Sequence, residues 1–249
     1  MPVSANTLFH FSDFKKVKNI LQTGGFWPQY SLEYFNNVLP KTSNYSKAYI
    51  PMVCFCDLKL TQLSDTSISS HTKDFGAYGI GFKKTWGIRK GVSPVSYVHS
   101  KSITSQTIDV IVSEINVHPA SEVNNIAPKL GEIVKFLEPY KGNHQKGKRK
   151  RKQINYYDER EWRYIPKGGK FKAFPYMNTT YKDINKLNIE LRKKKLYFQP
   201  NDIKYLIIAN ENEKPKLARV INNLPKISKT NKIALISKIV SLKEIHEDF

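Results

Sequence analysis

Leu8-Phe9-His10-Phe11-Ser12-Asp13-Phe14-Lys15-Lys16-Val17-Lys18-Asn19-Ile20-Leu21-Gln22-Thr23-Gly24-Gly25 changes its hydrophobic period midway. Leu8 to Ser12 reads as a short strand, and Ser12 stands where an N-cap belongs. Phe14, Val17, Ile20 and Leu21 then follow at helical spacing. Gly24-Gly25 ends the helix, because glycine enters the left-handed region without a Cβ penalty. A strand feeding directly into a helix opens the chain, with His10 inside the strand.

Working outward, Ile50 to Asp57 is an apolar run suited to a buried strand, and Gly79 to Phe82 begins another after the turn-rich stretch Ser64 to Thr72. Pro94 to Val98 is a third candidate. Leu130, Ile133, Val134 and Leu137 mark one face of a helix over Ala127 to Leu137, closed by Pro139. Glu159 to Ile165 alternates as a half-buried strand does, with Glu159, Glu161 and Arg163 on one face and Arg160, Trp162 and Tyr164 on the other. Ile203 to Ala209 is an apolar strand, followed by a helix with Pro215 in its first turn and Leu217, Val220, Ile221 and Leu224 inward. Strands interleaved with single helices predict an α+β fold: a mixed, mainly antiparallel sheet with a few flanking helices. At 249 residues the chain buries one sizeable core, so residues 1–249 are expected to form a single domain, with a basic flexible loop at about 141–155.

Lys and Arg number 41 against 21 Asp and Glu, a formal charge of +20, which favours polyanions and makes nucleic acid the default partner class. A Lys-rich spelling imposed by an AT-rich genome gives the same composition, and the salt dependence of binding separates the two. From Lys141 to Lys152 seven residues are basic and none acidic. Lys146, Lys148, Arg149, Lys150, Arg151 and Lys152 are therefore candidates to bind nucleic acid, the alternative being a self-repelling solvated loop. The N-terminus has no signal-peptide pattern and no stretch is long enough to span a bilayer, so a cytoplasmic protein with no membrane partner is expected. Cys54 and Cys56 alternate on one strand face, a poor geometry for a disulfide and in keeping with a reducing compartment.

No phosphate-cradling glycine loop ends in Lys-Ser or Lys-Thr, and no Gly-x-Ser-x-Gly elbow is present. Cys54, Cys56 and His71 lack the spacing of paired zinc ligands, so no metal is expected. Three separated elements stand out: Phe9-His10-Phe11-Ser12, His71 with Tyr78-Gly79-Ile80-Gly81, and Tyr157-Asp158-Glu159-Arg160-Glu161-Trp162-Arg163-Tyr164. Pro51-Met52-Val53-Cys54-Phe55-Cys56-Asp57, Tyr78-Gly79-Ile80-Gly81-Phe82, Trp86-Gly87-Ile88 and Glu159-Arg160-Glu161-Trp162-Arg163-Tyr164 together resemble the AbiGi family over about Phe9 to Leu206. The resemblance implies a role in abortive infection, in which an infected bacterium stops growing before phage mature. It also implies an antitoxin-like member of a two-gene system, with a nucleotidyltransferase-like toxin as partner; a further class is a sensor that binds a phage component and releases a partner.

A second resemblance concerns mechanism. An early His in a strand-helix unit, a central Tyr and a late Glu follow the order of the functional elements in ADP-ribosyltransferases, including the DarT type that modifies DNA. This resemblance implies an ADP-ribosyltransferase-like fold with NAD as cofactor. His10, with Ser12 beside it, would hold the adenosine-side ribose and Tyr78 would stack on the nicotinamide. Glu161 would stabilise the oxocarbenium-like transition state, and Glu159 would be the upstream acid. A carboxylate fixed beside a sugar that develops positive charge stabilises the transition state more than the ground state. His71 is a further acid-base candidate, its ordinary pKa lying nearest neutrality, and Trp27, Tyr30 and Trp86 are available to stack bases. Each residue also has a structural reading. His10 serves as a core histidine bonded to a carbonyl, Tyr78 as a packed aromatic, and Glu159 and Glu161 as the acidic half of an ion-pair ladder with Arg160 and Arg163. The competing class is a non-catalytic antitoxin that binds a toxin or nucleic acid.

Overall fold

The computed structural model describes residues 5–35, 38–39, 46–63, 75–123, 125–146, 149–168, 174–175 and 180–248. In chain order the elements are β1 (Thr7–Ser12), α1 (Phe14–Thr23), β2 (Gly25–Phe26), β3 (Gln29–Tyr34), β4 (Lys47–Cys56), α2 (Leu60–Leu63), β5 (Tyr78–Lys83), α3 (Lys84–Arg89), β6 (Ser93–Pro94), β7 (Ser96–Val98), α4 (Ile103–Val117), α5 (Ala120–Val123) and α6 (Ala127–Val134). There follow β8 (Leu137–Pro139), β9 (Lys141–Lys146), β10 (Arg149–Asn155), β11 (Glu161–Tyr164), β12 (Phe174–Pro175), α7 (Tyr181–Leu191), β13 (Leu196–Tyr197), β14 (Ile203–Ile208), α8 (Lys214–Asn222), α9 (Lys229–Ile236), β15 (Ile239–Ser241) and α10 (Leu242–Asp248). The architecture is α+β with mostly antiparallel pairing, as the interleaving of strand and helix patterns predicts. Two compact units emerge, one of residues 1–27, 54–92 and 195–249, the other of residues 28–53 and 93–194.

In the first unit the strands run in the order β15-β14-β5-β1-β4. Among the described residues of this unit, only the β14–β15 pair is parallel. β1 and β5 pair along their whole length, from Thr7↔Lys83 to Ser12↔Tyr78. This register sets Phe9 opposite Gly81 and Phe11 opposite Gly79. The two phenyl rings close over those glycines, since a Cβ on Gly81 would stand 2.7 Å from Phe9 and one on Gly79 2.9 Å from Phe11. On that face Phe9 and Phe11 join Cys56, Leu58, Leu63, Ile207 and Ile245 in one apolar cluster. Phe26, Phe55, Phe82, Trp86 and Phe198 form a second aromatic core, with Trp86 stacked on Phe82 at 4.4 Å. α1 buries Val17, Ile20 and Leu21, and Gly24 at φ 64° caps its C-terminus. Its N-cap is Asp13, whose carboxylate accepts from Lys16 N at 2.8 Å. The cap lies one residue beyond Ser12, which is still held in the β1 ladder.

The second unit pairs β3 with β4 in register from Gln29↔Met52 to Tyr34↔Lys47. β11 pairs with β6, and β7 runs parallel to β8. α7 starts with a capping box between Thr180 and Asp183 and buries Ile184 and Leu191 against Tyr30. Three expectations change here. The helix over 127–137 stops at Val134 and residues 137–139 are extended, because the residue before a proline is pushed out of the helical region. Glu159 is not on a strand: it ends a 3-10 turn over Tyr156–Glu159, and Arg160 at φ 44° breaks the alternation before β11 begins. The basic stretch at about 141–155 forms an antiparallel hairpin, β9 with β10, rather than an irregular loop.

Candidate functional site

Alternation along β1 and its pairing with β5 put His10, Ser12 and Tyr78 on one face of the two strands, since cross-strand partners share a face. His10 Nδ1 lies 2.8 Å from the Cys54 carbonyl oxygen. A carbonyl only accepts, so Nδ1 carries the proton and donates. The ring meets Phe26 edge-on at 4.9 Å and Phe55 at 5.9 Å. The Tyr78 hydroxyl donates to Glu213 Oε1 at 2.5 Å. That hydrogen bond, ahead of burial, pushes the phenol up to about 12. Phe14 meets the Tyr78 ring edge-on at 5.3 Å. Ser12 is buried. The three residues that sequence order assigned to a dinucleotide thus share a face, with the imidazole and phenol already engaged by the protein.

Glu161 lies in the second unit, at the start of β11. Two residues on, and therefore on the same strand face, Arg163 is only 1% exposed and is the hub of a buried network. Its Nε donates to Glu161 Oε1 at 3.0 Å and its Nη2 to Glu161 Oε2 at 2.8 Å, so both oxygens of Glu161 are bound by one guanidinium. Nη2 also donates to Glu33 Oε2 at 3.0 Å and to the Glu138 carboxylate. Nη1 donates to the carbonyls of Lys135 at 3.1 Å and Leu137 at 3.3 Å. The Glu161 amide donates to the Tyr97 hydroxyl at 2.7 Å.

Three carboxylates face one guanidinium, so acid outnumbers base at this buried site. Burial raises Glu138 well above the ordinary carboxylate range, against the pull of the Arg163 charge. Burial likewise holds the Tyr97 and Tyr156 phenols above their usual range. Arg163 is held charged by Glu161, Glu33 and Glu138 despite its desolvation. The ladder between Glu161 and Arg163 is real, whereas Glu33 and Glu138 had no local signature: they lie 130 and 25 residues from Arg163. Glu213, 135 residues from Tyr78, was equally hidden. The one available hint was a lone acid in the apolar run around Leu137-Glu138-Pro139.

The other candidates divide. His71 and Lys148 lie outside the described residues. Lys146, Arg149, Lys150, Arg151 and Lys152 belong to the β9–β10 hairpin, where Arg149 is the register partner of Lys146 and Arg151 that of His144. Trp86 is fully buried and Tyr30 nearly so, which removes both as base-stacking surfaces. Trp27 is half-buried with the Lys195 ammonium 4.6 Å from its ring centroid. Among the described residues no group of three or more His, Cys, Asp and Glu side chains could hold a metal ion, and no helix is long and apolar enough to cross a membrane. Cys54 and Cys56 are not joined in a disulfide.

A family model described as "Putative abortive phage resistance protein AbiGi, antitoxin" matches residues 25–209. The "Abortive phage resistance protein AbiGi" of Lactococcus lactis subsp. cremoris is 28% identical over 249 residues, covering 90% of this chain and 99% of that protein. No solved structure matches the chain.

Proposed function

This chain belongs to the AbiGi family, and from that premise we propose that it serves abortive phage resistance as a non-catalytic, antitoxin-like protein that binds and restrains a toxic partner. The observation that carries this reading is the state of Glu161. A carboxylate that stabilises a developing sugar cation needs an oxygen open to the substrate, and both oxygens of Glu161 are engaged by a buried Arg163. The engagement of His10 by Cys54 and of Tyr78 by Glu213 points the same way. The test is co-expression with a growth-inhibiting nucleotidyltransferase-like toxin of the kind the family resemblance implies. Restored growth together with co-purification of the pair supports the reading; unrelieved toxicity with no complex overturns it.

One observation favours a second reading. His10, Ser12 and Tyr78 share a face of β1 and β5, as residues that hold NAD for ADP-ribosyl transfer to nucleic acid or protein must share a site. Nicotinamide release from NAD that disappears in Glu161→Gln selects this reading, and no release with or without DNA, RNA and cell extract removes it. A nucleic-acid partner is part of either reading, supported by the +20 charge and the basic β9–β10 hairpin.

A further inference from the structure

α4 turns opposite faces to the protein and to solvent. Ser105, Ile108 and Val112 are buried, and the Ser102 side chain caps the N-terminus by accepting from Ser105 N. On the other side Ile103 is 81% exposed, Val110 61% and Val117 74%. These residues recur every seven positions, the spacing that keeps side chains on one stripe of a helix as a partner helix sees it. Isolated exposed apolar residues are ordinary, whereas these three line one stripe of a single helix, with the polar Gln106 and Ser113 at the intervening d positions.

The charge around the seam runs against the rest of the chain. Despite 41 Lys and Arg overall, Ile103–Val117 contains none, and its charged residues are Asp109 and Glu114. With Ile103, Val110 and Val117 at the a positions of a heptad, Asp109 falls at g and Glu114 at e, the positions that flank a helix-helix seam and select its partner. Beyond the helix end, the two ring nitrogens of His118 lie 3.1 Å from the Glu114 carboxylate and 3.2 Å from that of Glu122. A second copy of this chain is a poor occupant. Parallel pairing would set Asp109 against Glu114 of the other copy, and antiparallel pairing would bring Asp109 toward its own counterpart, like charges in both cases.

We propose that the outward face of α4 docks an amphipathic helix of the partner protein, one with apolar residues at heptad spacing flanked by Lys or Arg. The inference rests on the reading that this chain binds a toxic protein, and names the surface it uses. It also places partner docking and polyanion binding on different elements, α4 and the β9–β10 hairpin.

The experiment is a titration of the full chain with two labelled helical peptides of about three heptads, identical at a and d but with Lys in one and Glu in the other at e and g. Binding is read by fluorescence anisotropy at physiological salt. The Lys-flanked peptide binds despite the net charge of the chain. Val110→Asp weakens it by about tenfold or more, as expected for an apolar anchor at the centre of an interface. The double variant Asp109→Lys/Glu114→Lys transfers preference to the Glu-flanked peptide. Should Val110→Asp lose its melting transition, this surface charge reversal carries the test alone. No binding of the Lys-flanked peptide, binding indifferent to both variants, or a dimer of the chain that depends on Val110 overturns the proposal. Growth rescue on co-expression with peptide binding absent sinks the α4 seam alone; binding present without rescue sinks the antitoxin reading.

Discussion

Arg163 shows how one side chain converts local sequence into a long-range constraint. It satisfies two backbone carbonyls and three carboxylates while almost fully buried. Removing it leaves buried acids without a counter-charge, so Arg163→Met is expected to destabilise the protein by about 3–5 kcal/mol, read from its urea midpoint. Glu138→Gln behaves differently. Burial raises the Glu138 carboxyl above its unfolded-state value, so its proton favours folding. The associated stability is complete below the ordinary carboxylate pKa of about 4.3 and is lost as pH rises through the folded value. A glutamine imitates the protonated acid and does not titrate. Glu138→Gln should therefore match the parent near pH 4 and gain on it as pH rises toward 8, in unfolding curves taken across that range. A constant difference between the two proteins would mean that Glu138 is ionised in the fold.

At the scale of elements, the β1–β5 pair sets the aromatic packing of the first unit. Phe9 and Phe11 were legible as apolar strand residues, and Gly79 and Gly81 as punctuation within another strand, but not the fact that each ring lies over a glycine. A methyl group at Gly81 collides with the Phe9 ring, and Gly81→Ala should cost about 1–3 kcal/mol by overpacking. Combining it with Phe9→Leu should recover part of the loss, the coupling expected of two residues that touch. Strictly additive losses in thermal melts would show that the ring and the glycine do not share space. The ends of α1 were foreseen within one residue, because cap chemistry is local. The strand over 159–165 was misread at its start, because the alternation of charged and aromatic residues continues through a 3-10 turn that only the Arg160 backbone reveals.

For the whole molecule, charge and exposure decide what can approach it. If the β9–β10 hairpin grips phosphate, its affinity for duplex DNA falls steeply with salt. Replacing Lys146, Arg149, Lys150, Arg151 and Lys152 by Gln should then flatten the log–log slope by about 0.9 for each phosphate that is no longer neutralised. An unchanged slope would assign the binding to the general excess of Lys and Arg. The seam on α4 belongs to the same scale, since only tertiary packing distinguishes its buried Ile108 and Val112 from its exposed Val110 and Val117. All four are aliphatic, and the hydrophobic pattern of the helix alone does not say which stripe faces inward.

What the sequence determined by itself was whatever depends on near neighbours or on sums: the strand-helix opening with its glycine stop, the α+β class, the charge of +20 and the motifs that resemble AbiGi. Tertiary structure alone decided the states of the candidate residues. Glu161 is bound through both oxygens by Arg163, His10 is held by the Cys54 carbonyl, and Tyr78 is tied to Glu213. The physical reason is one of range: a cap or turn is settled within a few residues, whereas a titratable group is governed by burial and by partners that lie far away along the chain.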